Sequence, residues 1–547
     1  MANPEIDFRR FPLALIFVLL FAAVFLLHIP LLRLPYFWDE AGYYVPAARD
    51  LLLSGSLIPH STPSNAHPPL VMAWLALCWK IAGFSPLVTR TAMLVISAFS
   101  LTGLFRLARR VANQEVAIAS TVCTMLYPVF FAQSSLAHVD LAAAGLAFWG
   151  LSEYVERRLG KAAIWFSLAV LAKETAILAP LALFGWELVS LFLEFWETRR
   201  SSGPQRFGVA QRLSAAIQPP TSERALAPAI WKSAALLIPI IPLSLWYAYH
   251  YSRTGFIFGN PEFFRYNVQA TVQPLRIFLA LLLRLWQVFG YFSMYLLTLA
   301  TILAMWLSPR RDHGEERPRI APHTQLAFLS VIKVYVVVMA VVGGAVLARY
   351  MLPVVPLVII IGISTLRRRA HLWQGIVAII ALAFVAGLFV NPPYGFSIED
   401  NLAYRDYIVL HQHAENFLQG RYPHARVLTA WPASEELTQP FLGYIPRPMQ
   451  VVRMEDFTAE QLMSAADLGS KFDVALVFSQ KYEPPHPILE RWHTWLEWKT
   501  RFFGYHRDLP PAAAAQILGG HLVYEEKCRG QWIGIIEMDR IEEARAP

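Results

Sequence analysis

Residues 11–44, FPLALIFVLLFAAVFLLHIPLLRLPYFWDEAGYY, join an apolar run of membrane length to two adjacent acids. The run from Phe11 to Ile29 can span a bilayer, follows the Arg9-Arg10 pair and has no small-residue cleavage site after it. It is predicted to be a retained first helix with a cytoplasmic amino terminus. Asp39 and Glu40 come shortly afterwards, and carboxylates at a bilayer surface are seldom lipid contacts. The stretch therefore predicts a membrane protein with polar chemistry at one surface.

The composition of the 547 residues supports this class. Hydrophobic residues make up 56% of the chain, charged residues only 16%, and the mean hydropathy is +0.41, which does not suit a soluble enzyme. The formal charge of +8 comes from Lys and Arg in short loops between apolar runs, so it indicates membrane orientation and no nucleic-acid partner. The three cysteines form no CxxC pair and predict neither a disulfide framework nor a metal site.

The apolar runs predict a polytopic α-helical protein with about eleven or more transmembrane helices. After the first run, single spans are expected at about 87–105, 115–133, 140–154, 229–250, 278–307, 325–347, 350–366 and 371–390. The stretch 162–196 is too long for one helix. Because Lys173-Glu174 and Pro180 interrupt it, it is predicted to be a hairpin of two short helices.

The segment from Leu70 to Phe84 decides the topology. Its roughly fourteen apolar residues fall short of the ~20 that a full span needs. If it does not cross, the basic clusters all lie on the cytoplasmic side; these are Arg106/Arg109/Arg110, Arg157/Arg158/Lys161, Arg199/Arg200/Arg206, Arg310/Arg311 and Arg367 to Arg369. We therefore place it on the outer membrane surface or only partly inserted. This placement puts seven polar residues on the outer face: Asp39, Glu40, His67, Asp140, Lys173, Arg349 and Tyr350.

The composition changes after Val390, where Asn391-Pro392-Pro393 ends the last span. Residues 1–390 are thus expected to form the transmembrane domain, with an outer loop at about 31–86, and residues 391–547 a soluble α/β domain on the outer side. Strands are predicted at 427–430, 450–452, 474–478, 522–525 and 532–536, and helices around 434–442 and 458–466. No catalytic set is evident in this tail, and His411, His413 and His424 are not at metal-ligand spacing with acids.

Acids and cations in the outer loops are the candidate site residues. Asp140 stands at the outer end of another span, so two acids, Asp39 and Asp140, are expected to converge at one face of the bilayer. A carboxylate that takes a proton from a nucleophile is a standard general base. Arg49, His67, Lys173 and Arg349 are candidate cations for a leaving phosphate. Each of these residues alone also fits a simpler role as a helix cap, a snorkelling side chain or an ion pair such as Lys173-Glu174.

Together these motifs resemble the membrane glycosyltransferases of the GT-C superfamily. The residues that carry the resemblance are Trp38 to Tyr44 with Arg49, then His67 to Leu70, Val139-Asp140, and Ala348 to Pro353. The similar branch includes bacterial aminoarabinose transferases to lipid A and dolichyl-phosphate-mannose protein mannosyltransferases. The resemblance covers most of residues 1–390 in order and spacing, whereas the tail matches only in kind.

The resemblance implies an inverting reaction with direct displacement of a polyprenyl phosphate and no covalent sugar-enzyme intermediate. Asp39 would be the catalytic base and Asp140 the second acid of the site. Glu40 would support the loop of Asp39, and Arg349 and Tyr350 would face the carrier phosphate or the sugar. The residues expected to contact substrate are Glu40, Tyr43, Arg49, His67, Lys173, Arg349 and Tyr350.

Two departures from the family pattern concern metal binding. His67 stands where the pattern has a lysine, so it would act on phosphate when protonated, or would bind a metal. In the aminoarabinose branch a Glu before that lysine helps to hold a metal, but Ala66 occupies this position here. No cofactor is therefore required, although a divalent metal at His67 stays open.

The leading prediction is an enzyme of the cytoplasmic (inner) membrane, with its active site on the outer, periplasmic side. It would move a monosaccharide from an undecaprenyl-type or dolichyl phosphate to an acceptor, which is a lipid such as lipid A, a protein Ser or Thr, or another glycan. A polytopic transporter or lipid flippase is the rival from another class, but transporters usually place polar residues at mid-membrane in repeated halves. A receptor or scaffold is the third alternative.

Overall fold

The computed structural model describes residues 12–201, 231–259, 261, 271–312, 314–467, 471–482, 484 and 492–539. Some basic residues that the topology prediction used lie outside this description: Arg9, Arg10, Arg206 and the side chains of Arg199 and Arg200.

The part before residue 390 is helical. Its helices are α1 (Leu13–His28), α2 (Val45–Ser54), α3 (Leu70–Ala82), α4 (Pro86–Val111), α5 (Gln114–Leu126), α6 (Pro128–Gln133), α7 (Asp140–Val155), α8 (Leu159–Ala172), α9 (Leu178–Ser201), α10 (Ile240–Thr254), α11 (Pro274–Phe289), α12 (Met294–Met305), α13 (Pro322–Val341), α14 (Val355–Arg369) and α15 (Trp373–Phe389). Two very short strands, β1 (Arg311–Asp312) and β2 (Glu315–Glu316), form a small antiparallel turn between α12 and α13.

Within the described residues, six helical stretches are long and apolar enough to cross a membrane. They are Leu13–Leu31, Pro86–Val111, Glu174–Trp196, Trp231–Thr254, Pro274–Met305 and Pro322–Val341. The apolar helices α3, α8 and α15 are shorter. The helical membrane-protein fold agrees with the prediction, whereas the predicted count of eleven or more spans exceeds these six.

Two predicted spans differ in detail from the helices observed. Helix α8 ends at Ala172 and a 3₁₀ turn covers Glu174–Ile177, so the predicted break at Lys173-Glu174 is present. The prediction of two short helices there is wrong, because α9 has 24 residues and Pro180 lies in its first turn, where proline is tolerated. The run 278–307 is divided between α11 and α12, since Phe292 and Ser293 have positive φ angles of 43° and 67°.

Helix α3, the segment that decides the predicted topology, has 13 residues and ends at Gly83, whose φ is +84°. At 1.5 Å per residue it is about 20 Å long, which is shorter than the ~30 Å hydrocarbon layer. One face of α3, with Leu75 and Trp79, is buried. Its placement at the outer surface stays a prediction.

The residues after α15 fold as an α/β unit. The strands are β3 (Arg426–Ala430), β4 (Gln450–Met454), β5 (Val474–Phe478), β6 (Gly520–Cys528) and β7 (Gln531–Met538), and the helices are α16 (Ala403–Arg421), α17 (Ala433–Glu436), α18 (Ala459–Ala466), α19 (His493–Phe503) and α20 (Pro511–Leu518). The sheet order is β4-β3-β5-β7-β6; β3 pairs parallel with β4 and β5, and the other pairs are antiparallel. All five predicted strands are present, but the helix predicted around 434–442 is only one turn, followed by a 3₁₀ turn.

The α/β unit and the loop after α1 share one hydrophobic core. Tyr36 and Phe37 are buried with Tyr404 and Tyr407 of α16, and the rings of Trp38 and Trp431 meet edge to face with centroids 4.9 Å apart. The fold thereby fixes the acid pair Asp39-Glu40 between the membrane helices and the sheet.

Candidate active site

Asp39 and Glu40 lie on a tight turn that the backbone makes at some cost. Trp38 has a φ of +47°, in the left-handed region, and a π-helical turn, Glu40–Tyr44, follows Asp39. Gly42 is required in this turn, because a Cβ there would lie 2.9 Å from the ring of Trp431. Non-glycine residues with positive φ and π-helical turns both occur preferentially at functional sites, so the local geometry marks this turn.

Glu40 is the structural member of the pair. Its side chain is fully buried and forms an ion pair with Arg90 of α4, and the Arg90 Nη2–Glu40 Oε2 distance is 2.9 Å. It also accepts hydrogen bonds from the backbone N–H groups of Phe37, at 2.9 Å, and Ala137, at 2.5 Å. Glu40 therefore ties the Asp39 turn to α4 and to the loop before α7.

Arg349 joins the acids that the sequence places far apart. It lies in the 3₁₀ turn Ala348–Met351 and is 2% exposed. Its Nη2 donates to Asp39 Oδ2, its Nη1 lies 2.5 Å from Glu399 Oε2, and its Nε lies 3.3 Å from Asp140 Oδ2. One guanidinium thus contacts three carboxylates. With Lys173, these residues are called the arginine cluster below: Asp39, Asp140, Lys173, Arg349 and Glu399.

The three acids of the arginine cluster differ in exposure. The side chains of Asp140 and Glu399 are 3% and 4% exposed, whereas that of Asp39 is 20% exposed. Of the three acids on Arg349, Asp39 is therefore the one that an incoming molecule can reach.

Lys173, Tyr350 and Arg284 form the cationic side of the site. Lys173 Nζ pairs with Asp140 Oδ1 and lies 3.9 Å from the centre of the Tyr350 ring. The Arg284 guanidinium faces the same ring at 5.5 Å. Arg284 is fully buried and has no acid within 4.0 Å among the described residues, and its Nη2 has no hydrogen-bond partner there. A buried guanidinium without an acidic partner, next to a tyrosine ring that a lysine also faces, is a favourable place for an anion to bind.

The pKa values around Arg349 follow from burial and from the crowding of acids. Burial acts to lower the pKa of Arg349, but Glu399, Asp39 and Asp140 outweigh it and hold this pKa well above its ordinary value. Burial raises the pKa of Glu399, although Arg349 opposes the rise. Burial, together with Arg349, keeps the pKa of His138 well below its ordinary value, so its imidazole is neutral. Its Nδ1 lies 3.0 Å from Arg349 Nη1.

The other predicted substrate-binding residues lie around this centre to different degrees. His67 pairs with Glu174, with Nδ1 2.8 Å from Oε2, and stacks on Tyr44 at 5.9 Å. Tyr43 is half-buried on the π-helical turn. Arg49 lies over the ring of Phe441, 4.7 Å from its centre, and so contacts the α/β unit.

The residues around His67 fit a metal ion poorly, and those around Asp39 already contact the cationic side chain of Arg349. His67 pairs with the Glu174 carboxylate, but among the described residues it belongs to no group of three candidate ligands. Ligand atoms of Asp39, His138 and Glu399 do lie within 4.8 Å of one another. The guanidinium of Arg349 contacts all three residues, however, and already supplies a positive charge there.

Sequence reasoning missed three residues of this site, and two of them carry a signal. Glu399, with Asp400, is an adjacent acid pair directly after an apolar helix, as Asp39-Glu40 is. Arg284 is a charge within an apolar run of membrane length, which marks function by itself. His138 carries no comparable signal, because a lone histidine in an apolar stretch is common.

Comparison with known proteins finds one matching family model and several solved structures of similar fold. The family model of dolichyl-phosphate-mannose-protein mannosyltransferases matches residues 66–205, less than half of the chain. The crystal structure of ArnT from Cupriavidus metallidurans bound to undecaprenyl phosphate is similar, with a TM-score of 0.51 at 14% identity over 95% of this chain and 97% of that one. Its apo form also has a TM-score of 0.51 at 14% identity, over 96% and 98%. No curated protein sequence matches the chain.

A more distant likeness is that to the archaeal oligosaccharyltransferase AglB from Archaeoglobus fulgidus. The TM-score is 0.47 at 11% identity, over 99% of this chain and 75% of that one. The two ArnT structures show that the chain has their fold, and the resemblance predicted from its sequence is confirmed.

Proposed function

We propose that this protein is an inverting glycosyltransferase that moves a monosaccharide from a polyprenyl phosphate to an acceptor at the outer face of the cytoplasmic membrane. The observation that carries the proposal is the arginine cluster, in which buried Arg349 contacts Asp39, Asp140 and Glu399. The family model names dolichyl-phosphate mannose, and the similar ArnT structure contains undecaprenyl phosphate, so both support a lipid-linked donor.

Asp39 is the proposed base. As the acceptor attacks the anomeric carbon, its proton passes to the Asp39 carboxylate, which Arg349 holds in place. The bond from the anomeric carbon to the phosphate oxygen breaks on the opposite side, and its electron pair leaves with the polyprenyl phosphate. A single displacement of this kind inverts the anomeric centre.

The leaving phosphate is proposed to lie between Lys173, Tyr350 and Arg284. Lys173 and Arg284 would stabilise the charge that develops on the phosphate, and the Tyr350 ring keeps both cations near. Asp140 holds Lys173 by their ion pair. In this proposal Asp39 acts on the acceptor, whereas Lys173 and Arg284 act on the phosphate of the donor.

Their convergence also supports the predicted topology. Asp39, Asp140, Lys173 and Arg349 come from four separate segments and were all assigned to the outer side by the basic clusters. Residues that meet at one site must lie on one side of the bilayer. The α/β unit, which supplies Glu399, is proposed to lie there too.

Asp39→Asn tests the proposal. Purified full-length protein is incubated with labelled polyprenyl-phosphate sugars, and label is followed into lipid, protein and polysaccharide fractions. We expect Asp39→Asn to lower transfer by about 10²- to 10⁴-fold, the usual share of a general base, with binding of undecaprenyl phosphate retained. The matched control is Asp50→Asn, an acid of the same loop that accepts hydrogen bonds from His60 and Ser61.

Full transfer by Asp39→Asn would exclude Asp39 as the base. Wild-type protein that binds undecaprenyl phosphate but labels no fraction with any sugar would favour the transporter. The fraction that becomes labelled identifies the acceptor class.

A further inference from the structure

A second group of buried ionisable residues lies inside the α/β unit. Helix α16 carries Tyr407, His411 and Glu415 at four-residue spacing, so they share one face of the helix. This face is buried, and the exposed fractions of the three residues are 2%, 1% and 0%. Glu436, also fully buried, reaches the same place from α17, directly after β3. His411, Glu415 and Glu436 are called the histidine cluster below.

The members of the histidine cluster are close enough to share one ligand. His411 Nδ1 lies 2.6 Å from Glu436 Oε2 and 3.9 Å from Glu415 Oε1. One candidate ligand atom from each residue lies within 4.8 Å of the others. The sequence prediction that His411 has no suitably placed acid is therefore wrong. The acid on its own helix is four residues away, and Glu436 approaches only through the tertiary fold.

The histidine cluster lacks the partners that buried acids normally have. In the part of the chain that the structure describes, no lysine or arginine nitrogen lies within 4.0 Å of Glu415 or Glu436. Both carboxylate oxygens of Glu415, Oε1 of Glu436 and Nε2 of His411 have no hydrogen-bond partner among these residues. Burying an unpaired carboxylate costs several kcal/mol, so the cluster requires either a cation or protons.

We propose that His411, Glu415 and Glu436 bind one divalent transition-metal ion of the zinc class as a structural site. Imidazole and carboxylate are ligand types that zinc accepts. A neutral histidine and two carboxylates carry two negative charges, which one divalent ion balances. Both oxygens of Glu415 lack a hydrogen-bond partner among the described residues, so this carboxylate would supply the fourth ligand atom of a site closed to water. Tetrahedral zinc with bonds of about 2.1 Å places its ligands about 3.4 Å apart, so the observed spacing needs only small side-chain shifts. The ion would tie α16 to the segment after β3.

A proton shared between the two glutamates is the competing arrangement. Burial raises the pKa of Glu415 well above its ordinary value, and Glu436 raises it further. If Glu415 is protonated and His411 is charged, the cluster is also neutral. The two arrangements differ in their response to metal, which an experiment can measure.

The test uses the full-length protein in detergent, stripped with a chelator and dialysed against zinc. We expect one zinc per chain by elemental analysis, and a rise in the unfolding temperature on zinc addition. Glu415→Gln and His411→Asn should lose both effects. His413→Asn is the matched control, because His413 lies on the same helix but is exposed and pairs with Glu526 at 3.1 Å. It should keep the zinc and the rise.

Two further measurements test whether the zinc is bound at the histidine cluster. Asp39→Asn should retain the zinc, since the ion is not expected in the arginine cluster. X-ray absorption at the zinc edge of the wild type should show nitrogen and oxygen ligands with one imidazole, a measurement that does not depend on the folding of any variant.

The proposal is overturned if the folded wild type takes up no zinc, if Glu415→Gln retains it, or if the spectrum shows sulfur. A wild type indifferent to zinc, whose stability falls as pH rises while that of Glu415→Gln does not, would establish the shared proton. None of these outcomes bears on glycosyl transfer.

Discussion

The arginine cluster and the histidine cluster are two solutions to the burial of acids in one chain. In the arginine cluster, Arg349 and Lys173 lie among three carboxylates, one of which remains 20% exposed. In the histidine cluster, two fully buried glutamates lie beside His411, and no lysine or arginine nitrogen of the described residues lies within 4.0 Å of them. The first group holds its own cations and opens to the surface at Asp39, whereas the second is closed and has no such cation among the described residues.

The comparison shows that two properties distinguish the arginine cluster from the histidine cluster, namely the presence of internal cations and the exposure of one acid. Internal cations allow acids to stay ionised, and partial exposure lets one of them meet a substrate. A closed group of acids without such cations cannot turn over substrate, but it can hold an ion or protons. Substitutions that remove a cation or an acid, followed by measurement of stability and sugar transfer, test this difference.

Removing the central cation should have the largest effect. Arg349→Met leaves Asp39, Asp140 and Glu399 without their common partner, and breaking a buried ion pair costs about 3–5 kcal/mol. We expect a lower unfolding temperature in detergent and no measurable transfer. Arg349→Lys should recover part of the stability but not the transfer, because the lysine ammonium keeps the charge but lacks the planar fork of N–H groups that orients the three acids. A stable and active Arg349→Met variant would contradict the claim that internal cations set the arginine cluster apart from the histidine cluster.

The second prediction concerns the effect of Asp400 on the pH dependence of stability. This acid lies beside the arginine cluster, and its side chain contacts Tyr291. Tyr291 Oη donates to Asp400 Oδ2 at 2.6 Å, and burial raises the pKa of Asp400 to about 7. Because the folded state binds this proton more tightly than the unfolded chain, the contribution of Asp400 to stability is fully present below pH 4 and is lost as pH rises through 7. The rise in pKa corresponds to on the order of 4 kcal/mol.

Asp400→Asn should therefore unfold at a higher temperature than wild type at pH 8 and at the same temperature at pH 4. Equal unfolding temperatures at pH 8 would show that Asp400 has no raised pKa.

Arg284 separates donor binding from chemistry. We expect Arg284→Gln to raise the KM for the polyprenyl-phosphate sugar by about 10- to 100-fold, since a hydrogen bond to a charged group contributes about 1.5–3 kcal/mol. The KM for the acceptor should change little. Arg276→Gln is the comparison on the same helix, because Arg276 donates to the backbone carbonyls of Gly343 and Gly344. An unchanged donor KM would exclude Arg284 from the phosphate site.

Glu399 should give the smallest effect. The arginine cluster holds three acids and two cations, so Glu399→Gln removes a surplus negative charge and should preserve folding. Transfer should fall about tenfold, roughly 1.4 kcal/mol, because Arg349 loses one of the contacts that orient it. Glu526→Gln, an acid of β6, is the control and should transfer at the wild-type rate. Transfer by Glu399→Gln equal to wild type would limit Glu399 to packing.

Local signals predicted much of this arrangement. Apolar runs gave the helical membrane fold, and alternating short segments gave the five strands after α15. Asp39, Asp140, Lys173 and Arg349 were all expected at one site, and the structure brings them into contact. The resemblance to GT-C enzymes placed Arg349 at the carrier phosphate or the sugar, whereas its ion pairs with Asp39 and Glu399 were not predicted.

What the sequence did not predict depends on long-range packing. Arg49 lies on Phe441, and this contact across almost 400 residues is one that no spacing in the sequence reveals. The partners of His411 were missed because Glu436 approaches through the turn after β3. The break between α11 and α12 was missed because Phe292 and Ser293 adopt positive φ, which their residue types do not favour.

The contact between Gly42 and Trp431 bears on how such proteins can be recombined. The turn of Asp39 has no room for a side chain at Gly42, because the indole of the α/β unit fills that space. A chimaera that keeps residues 1–390 and takes its carboxy-terminal part from a relative would therefore replace one wall of the Asp39 turn. The two parts of this chain are interlocking pieces rather than interchangeable modules, and exchange of one demands redesign of the other.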